Sequence, residues 1–365
     1  MEIDATSIKR VLIRGTNWVG DAVMSVPAMR EIRRCLPESR ISLLIRPWVS
    51  DVYGKADFLD EVITFDKEGL HQGLSGRRRL MSELRARQFD LAILLQNAFE
   101  AAFLAWWARI PLRIGYARDG RSLLLTHAIP IDPEVRQAHQ VYYYLGVLAG
   151  AGFLKSQPWR SPKPLPTCDL DIRESDREAA RSLLRKHGIE AGETLIGMNP
   201  GASYGGAKRW LPGRFAEVAD YLAGKYSARI ILFGSGAELP ITRYVAEKMK
   251  VSSVNLAGET TLGQLMGLIK ECALLVTNDS GPMHLAAALA VPQVAIFGST
   301  SDTATGPLSN VAEVVRVPAE CSPCFLRECP TDFRCMIGIT TGQVIDAAER
   351  KLSGAKQGFG AGGPH

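Results

Sequence analysis

The sequence predicts an α/β protein built from two doubly wound domains. Short, nearly continuous apolar runs alternate with helix-period segments along the whole chain, and one proline-rich stretch interrupts this alternation. Strands that are buried on both faces of a parallel sheet show such runs, and strands that alternate with helices form parallel sheets. The length of 365 residues is enough for about two domains.

The first half of the chain carries the first of the two series. Strands are predicted at 10–14, 41–46, 61–65 and 91–95, with helices at 24–35 and 80–87. The segment 157–166, QPWRSPKPLP, then contains four prolines in ten residues. This composition is typical of a linker.

The second half repeats the alternation. Strands are predicted at 194–198, 229–233, 254–256, 274–277 and 293–297, and helices at 174–187, 214–225, 241–250, 262–271 and 283–290. We therefore expect an N-terminal domain at 1–160, a C-terminal domain at 161–352 and a glycine-rich flexible tail at 353–365, with a cleft between the domains.

Composition excludes several classes of protein. The chain is 46% hydrophobic and 22% charged, as ordinary globular proteins are. No stretch of about 18 apolar residues runs without a charge, so no membrane-spanning helix is expected. The start, MEIDATSIKR, lacks the apolar core of a secretory signal, which predicts a cytoplasmic protein.

Charge gives a weaker indication of the partner. The net charge of +5 is too small to predict nucleic-acid binding. The densest basic run comprises Arg77, Arg78, Arg79, Arg85 and Arg87. Two interpretations stay open for it: a solvated helix face, or contact with acidic lipid headgroups.

The loop 15–21, GTNWVGD, directly follows the first predicted strand. Gly15 and Gly20 allow a close backbone approach, but their spacing is not that of a dinucleotide-binding fingerprint. Asp21 stands where the next helix begins. It is either a carboxylate that favours the helix N-terminus or a general base presented at the strand end.

Two loops of the second half offer groups for a nucleotide. The segment 199–210, NPGASYGGAKRW, provides Gly201 for a tight turn, the Ser203 hydroxyl and the Lys208 charge, which suits a diphosphate. In the segment 233–238, FGSGAE, Glu238 is either an acceptor for ribose hydroxyls or a first-turn helix acid.

The segment 277–284, TNDSGPMH, is the most informative loop. Asp279, Ser280 and Gly281 form a turn between a strand and a helix, with backbone N–H groups available to an anion. Ser280 is either an N-cap or a ligand contact, and His284 either serves the site or packs. The sequence contains no Gly-x-Ser-x-Gly elbow, no His-Glu-x-x-His motif and no P-loop.

Four of the seven cysteines crowd into fifteen residues: Cys321, Cys324, Cys329 and Cys335. Their spacing, Cys-x2-Cys-x4-Cys-x5-Cys, is compatible with a structural zinc site or with iron–sulfur ligation. The alternative is a reduced loop whose thiols pack. The other three cysteines lie among apolar residues and are expected to be buried thiols.

Together, these loops resemble the ADP-heptose lipopolysaccharide heptosyltransferases of glycosyltransferase family 9. The resemblance covers about residues 9 to 350, and its most specific pieces are GTNWVGDAVMSVP, PGASYGGAKRW, NLAGETTL and TNDSGPMHLAAAL. It implies the GT-B fold, two Rossmann-like domains facing a cleft. It also implies transfer of L-glycero-D-manno-heptose from ADP-heptose to the inner core of lipopolysaccharide, with inversion at the anomeric carbon.

The resemblance assigns roles to individual residues. Asp21 matches the family's catalytic aspartate, Lys208 its phosphate-binding lysine, and Glu238 an acidic residue near the adenosine. Asp279, Ser280 and Gly281, followed by His284, match the turn at the donor phosphates. The wording GTNWVGD favours the members that add the second heptose.

The implied acceptor is lipid A–core, which places a protein without a membrane span at the cytoplasmic face of the inner membrane. Three alternatives stay open: addition of the first or a later heptose, a nucleotide-sugar epimerase, and a non-catalytic metal-binding module.

Overall fold

The computed structural model describes residues 3–160 and 166–358. The chain divides into two compact units, one ending at Cys168 and the other beginning at Asp169. The predicted division falls shortly before this point, and residues 161–165 of the predicted linker lie outside the described residues. Each unit contains one six-stranded sheet in which all pairings are parallel.

The sheet of the first unit has the order β3-β2-β1-β4-β5-β6. The strands are β1 Arg10–Arg14, β2 Arg40–Ile45, β3 Glu61–Thr64, β4 Leu91–Leu94, β5 Leu112–Tyr116 and β6 His127–Ile129. The central strands are almost completely buried because helices cover both faces of the sheet, as their continuous apolar runs predict.

The α-helices described in this unit are α1 Val19–Met24, α2 Val26–Cys35, α3 Gly73–Ala86, α4 Phe99–Trp107, α5 Pro133–Gln137 and α6 Gln140–Gly150. The helices α3 and α4 pack on one face, where they share an apolar cluster with β1, β2 and β4. The helices α1, α2 and α6 contact one another.

The sheet of the second unit has the equivalent order, β9-β8-β7-β10-β11-β12. Its strands are β7 Leu195–Asn199, β8 Arg229–Leu232, β9 Ser253–Asn255, β10 Leu274–Asn278, β11 Gln293–Ile296 and β12 Ala312–Val315. Its helices are α7 Glu174–Lys186, α8 Pro212–Tyr226, α9 Leu239–Lys248, α10 Leu262–Glu271, α11 Gly281–Ala288, α12 Asp302–Thr305, α13 Arg334–Ile337 and α14 Thr341–Gly358.

Several predicted elements differ from the structure. The predicted helix 24–35 corresponds to α2, which begins at Val26, while Met24 is the last residue of α1. The predicted helix 80–87 is the second half of α3, which begins at Gly73, and the strands β5, β6 and β12 were not predicted. The predicted tail 353–365 overlaps the end of α14, which continues to Gly358. Residues 359–365 lie outside the described residues. Among the helices described, none combines the length and apolarity needed to cross a bilayer.

Candidate active site

The candidate site of the second unit lies where the strand order of its sheet reverses. Strands β7 and β10 are neighbours, and their connections leave toward opposite edges of the sheet. Ligands of doubly wound proteins bind at this point, beyond the carboxyl ends of the strands. Two connections begin here, 200–211 after β7 and 279–280 after β10. They overlap the predicted segments 199–210 and 277–284.

A buried ion pair joins these two loops. The Lys208 ammonium donates to Asp279 Oδ2 at 2.6 Å, and the Thr300 hydroxyl donates to the same oxygen at 2.6 Å. Asp279 is 4% exposed, whereas the Lys208 side chain keeps 15% of its surface in solvent. Because an ammonium has three donors, the contact with Asp279 fixes Lys208 and leaves donors for a ligand oxygen.

Two asparagines hold the loops in register. Asn199 Nδ2 donates to Thr277 Oγ1 at 3.0 Å and to Ser280 Oγ at 2.9 Å. Asn278 Nδ2 donates to the Pro200 carbonyl at 2.9 Å. Sequence reasoning gave these residues no role of their own. Their position in the sequence could have identified them, since each is the last residue of one of the two strands at which the strand order reverses.

Ser280 and Gly281 begin α11. The Ser280 side chain makes no capping hydrogen bond to the helix; it accepts from Asn199 instead. The simple N-cap interpretation is therefore wrong for this hydroxyl. Pro282 has no N–H, and the Met283 N–H donates to the Ser280 carbonyl at 3.2 Å. Among the described residues no acceptor is found for the Gly281 N–H, which is the backbone group that this helix start offers to an anion. His284 is buried within the same helix.

Glu238 has a capping role that the sequence left open. Its Oε2 accepts from the Ser235 N–H at 2.7 Å and from the Ser235 hydroxyl at 2.8 Å, which completes a capping box. Its other oxygen lies against Gly201, where a Cβ atom would stand 2.3 Å away. Gly201 therefore permits close contact between the loops after β7 and β8, and the contact of Glu238 with a nucleotide stays a prediction.

Ser203 and Arg209 lie in the same loop as Lys208, but neither is placed beside Asp279. Ser203 is exposed, and no hydrogen bond to its hydroxyl is found among the described residues. Arg209 turns back on its own loop, where Nη2 donates to the Ala202 carbonyl at 3.2 Å. Lys208 is thus the basic side chain of this loop that is placed beside Asp279.

The cysteine-rich segment rests on the same loop. Tyr204 donates from its hydroxyl to the Phe325 carbonyl at 2.9 Å, and the Ala207 N–H donates to the Arg327 carbonyl at 2.9 Å. Gly205 is required here, since a Cβ atom would stand 2.3 Å from the Arg327 oxygen. The segment therefore supports the backbone of the phosphate loop.

The four clustered cysteines are free thiols that lie near one another: Cys321, Cys324, Cys329 and Cys335. Burial, together with the three neighbouring thiols, raises the pKa of Cys335. Within residues 3–160 and 166–358, however, no three Cys, His, Asp or Glu side chains are arranged to hold a metal ion. The present arrangement therefore does not fit zinc or an iron–sulfur cluster, and metal binding stays a prediction.

Asp21 lies at the corresponding edge of the first unit, in the first turn of α1. The hydroxyl of Tyr144, from α6, donates to Asp21 Oδ1 at 2.8 Å. Burial and the Asp21 charge raise the pKa of Tyr144 well above its ordinary value, so the phenol stays a donor. Nothing in the sequence indicated this partner, because 123 positions separate the two residues.

The two glycines of the predicted loop have different roles. A Cβ atom on Gly15 would stand 2.5 Å from Ile45 Cγ2, so glycine is needed where β1 ends beside β2. Gly20 lies inside α1. Its assignment to the loop is therefore wrong, since the helix begins earlier than the glycine spacing suggested.

Three buried arginines make this edge electropositive. Arg14 ends β1, Arg46 directly follows β2, and Arg121 lies between β5 and β6; all three are buried. Burial, with a contribution from Arg46, lowers the pKa of Arg14 to about 9, and burial lowers that of Arg121 to about 10. No ion pair to any of them is found in the described part of the chain. The sequence analysis gave these arginines no role, although two of the predicted strands, 10–14 and 41–46, each end in an arginine.

Comparison with known proteins places the chain among glycosyltransferases. Residues 77–333 match the family model "glycosyltransferase family 9 (heptosyltransferase)". Lipopolysaccharide heptosyltransferase 2 of Salmonella typhimurium is 33% identical over 317 residues, which cover 84% of this chain and 88% of the relative. The protein of the same name from Escherichia coli is 31% identical over 312 residues, with the same coverage.

Solved structures agree. The structure of Escherichia coli ADP-heptose lipopolysaccharide heptosyltransferase II matches with a TM-score of 0.80 at 28% identity, over 96% of this chain and 100% of that chain. A glycosyltransferase of family 9 from Veillonella parvula matches with a TM-score of 0.82 at 28% identity, over 97% and 99% of the two chains. The predicted GT-B-like architecture of two parallel α/β units is confirmed.

Proposed function

The chain belongs to glycosyltransferase family 9, the heptosyltransferases, and from this premise we propose that it transfers heptose from ADP-heptose to the inner core of lipopolysaccharide. The relatives in Salmonella typhimurium and Escherichia coli are both heptosyltransferase 2. Their similarity supports addition of the second heptose over the first or a later one, and it does not favour an epimerase or a non-catalytic module.

The observation that carries the donor assignment is the Lys208–Asp279 pair at the reversal point of the second sheet. ADP leaves with additional negative charge as the glycosidic bond breaks. A fixed ammonium and the Gly281 N–H at the start of α11 would stabilise this charge where it develops. Asp279 and Thr300 act here by holding Lys208 in place.

The acceptor side belongs to the first unit. Inversion requires a base that removes the proton of the acceptor hydroxyl as its oxygen attacks the anomeric carbon. Asp21 would accept this proton, and the Tyr144 hydroxyl would orient the carboxylate through Oδ1. The buried guanidinium groups of Arg14, Arg46 and Arg121 supply positive potential at the same edge, which favours an anionic acceptor.

The acceptor also determines where the protein works. A lipid-linked saccharide is displayed at a membrane surface, so an enzyme that acts on it visits that surface. We place the reaction at the cytoplasmic face of the inner membrane, with the protein bound peripherally.

The direct test is mass spectrometry of acceptors incubated with ADP-heptose. We expect one added heptose on a truncated core that already carries the first heptose, with release of ADP. A single addition to a heptose-free core would show that the assigned position is wrong. The absence of any addition, or conversion of ADP-heptose without an acceptor, would contradict the transferase proposal.

A further inference from the structure

The helix α4, FEAAFLAWW, is apolar at every position except Glu100. Its inward residues, among them Ala102 and Leu104, are buried in the core of the first unit. Its outward residues are aromatic, and Phe99 is 50% and Trp106 is 49% exposed. A helix that is apolar on its outer face is normally covered by a partner.

The aromatic side chains form one continuous stripe. Phe99, Phe103 and Trp106 stand at positions i, i+4 and i+7, which share one side of a helix. The Phe103 ring lies 6.3 Å from the Phe99 ring and 5.9 Å from the Trp106 ring, between centroids. Leu123, which is 95% exposed, belongs to a 3-10 turn that contacts α4. These four residues, Phe99, Phe103, Trp106 and Leu123, are called the α4 surface below.

Basic side chains flank the α4 surface along α3. Arg77 approaches Glu100 at 3.7 Å, and Arg85 donates to the Trp107 carbonyl, so α3 lies alongside α4. Leu74, which is 75% exposed, and Arg78 share the outer face of α3 because they are one turn apart. No ion pair of Arg78 is found in the described part of the chain. The exposed faces of α3 and α4 therefore combine apolar and cationic side chains.

The contacts of α3 limit which arginines of the predicted basic run can meet acidic lipid headgroups. Arg79 pairs with Glu83 at 3.2 Å, Arg87 pairs with Glu61 at 2.8 Å, and Arg85 binds the end of α4. Arg77 pairs with Glu100 as well, so four of the five arginines contact groups of the unit itself. Arg78, for which no ion pair is found among the described residues, remains suited to an external anion.

The helix begins at the edge of the sheet that carries Asp21. It follows β4, which pairs in parallel with β1, and the loops after both strands therefore open at the same carboxyl edge. A membrane that contacts α4 would thus lie on the unit whose edge presents the candidate base.

We propose that the α4 surface docks on an anionic lipid bilayer. This inference rests on the proposed function, which supplies the lipid-linked acceptor. Tryptophan and phenylalanine partition into the boundary between headgroups and acyl chains, and neighbouring arginines are attracted to anionic headgroups. Burial of Phe99, Phe103 and Trp106 in that boundary would cover aromatic side chains that the described residues leave partly exposed.

The test is co-sedimentation of the full chain with vesicles of phosphatidylglycerol and phosphatidylcholine, or of phosphatidylcholine alone. The variant is Phe99→Ser with Trp106→Ser. The matched control is Tyr244→Ser, which removes an aromatic ring that is 44% exposed on α9 of the other unit. Melting curves confirm that each variant is folded.

We expect the wild type and the control to bind the anionic vesicles more strongly than the neutral ones, and added salt to weaken this binding. The double variant should lose at least about tenfold in partitioning. Partitioning equal to that of the wild type would overturn the proposal. A change of oligomeric state with unaltered vesicle binding would also overturn it, since the surface would then join two copies of the chain.

A second readout separates this proposal from the proposed function. Turnover is measured with a water-soluble, delipidated acceptor and with the same acceptor in vesicles. The double variant should keep its activity on the soluble acceptor and lose activity on the vesicles. An equal loss on both would contradict a role in lipid contact. If the wild type turned over neither acceptor, the transferase proposal would fail, while the vesicle binding would still decide the role of the α4 surface.

Discussion

Removal of the Lys208 charge should have two consequences that can be separated. The ammonium is the ion-pair partner of Asp279, which is 4% exposed. In Lys208→Met this carboxylate keeps the Thr300 hydroxyl at 2.6 Å but loses its cation. Breaking a fully buried pair costs ~3–5 kcal/mol. Because Lys208 is 15% exposed, we expect a smaller loss of stability, about 2–4 kcal/mol.

The same substitution should weaken ADP binding, because we propose that the ammonium meets the diphosphate. A hydrogen bond to a charged group contributes ~1.5–3 kcal/mol, which corresponds to a rise of about 10- to 150-fold in the dissociation constant. Isothermal titration with ADP measures this constant, and urea unfolding measures the stability.

A second substitution isolates the two effects. Asp279→Asn in the Lys208→Met background removes the uncompensated charge, so most of the lost stability should return. The affinity for ADP should stay low, because the ammonium is still missing. If the double variant regained wild-type affinity, Lys208 would be a structural ion-pair partner only, and the proposed donor site would be wrong.

Three further predictions concern the base and the cysteines. Asp21→Asn should lower turnover by ~10²–10⁴-fold with little change in ADP affinity, measured by steady-state kinetics and calorimetry. Tyr144→Phe removes a donor to the carboxylate, which makes its protonation easier; the acid limb of the pH profile of kcat/KM should therefore move to higher pH, by about one to two units. Elemental analysis of protein purified without chelators tests the cysteine cluster, where about one equivalent of zinc, or of iron with sulfide, would indicate a bound metal.

Each of these tests has its own control or contrary result. Tyr142→Phe is the matched variant for Tyr144, since it removes another hydroxyl from the buried face of α6, and it should leave the pH profile in place. Near-normal turnover of Asp21→Asn would contradict the assignment of the base. Less than about a tenth of an equivalent of each metal would show that the thiols form a reduced, packed loop.

The sequence alone predicted the architecture because parallel sheets leave a strong pattern in it. Strands such as β1 and β10 are continuous apolar runs, since both of their faces are buried. The strands β5, β6 and β12 were not predicted, because none of them is a long, uninterrupted apolar run. In β5, Arg113 and Gly115 interrupt the apolar run, and β6 has only three residues.

The sequence also predicted where the chemistry lies along the chain. Loops after parallel strands open toward ligands, so Asp21, Lys208 and Asp279 could be identified as candidates from the strand that precedes each of them. The residue type completed the inference, because a carboxylate suits proton transfer and an ammonium suits a diphosphate. The capping box between Ser235 and Glu238, in contrast, was not predicted, because the sequence left Glu238 open between an acceptor for ribose hydroxyls and a first-turn helix acid.

Only the tertiary structure decided which of these groups meet. The pairing of β7 with β10 brings Asn199 to Ser280, and the packing of α6 on α1 brings Tyr144 to Asp21. Burial likewise decides that Arg14 is a desolvated cation with a lowered pKa, rather than a surface charge at the end of a strand. These contacts join residues far apart in the chain, and their geometry depends on strand order and helix packing, which no local pattern of residues encodes.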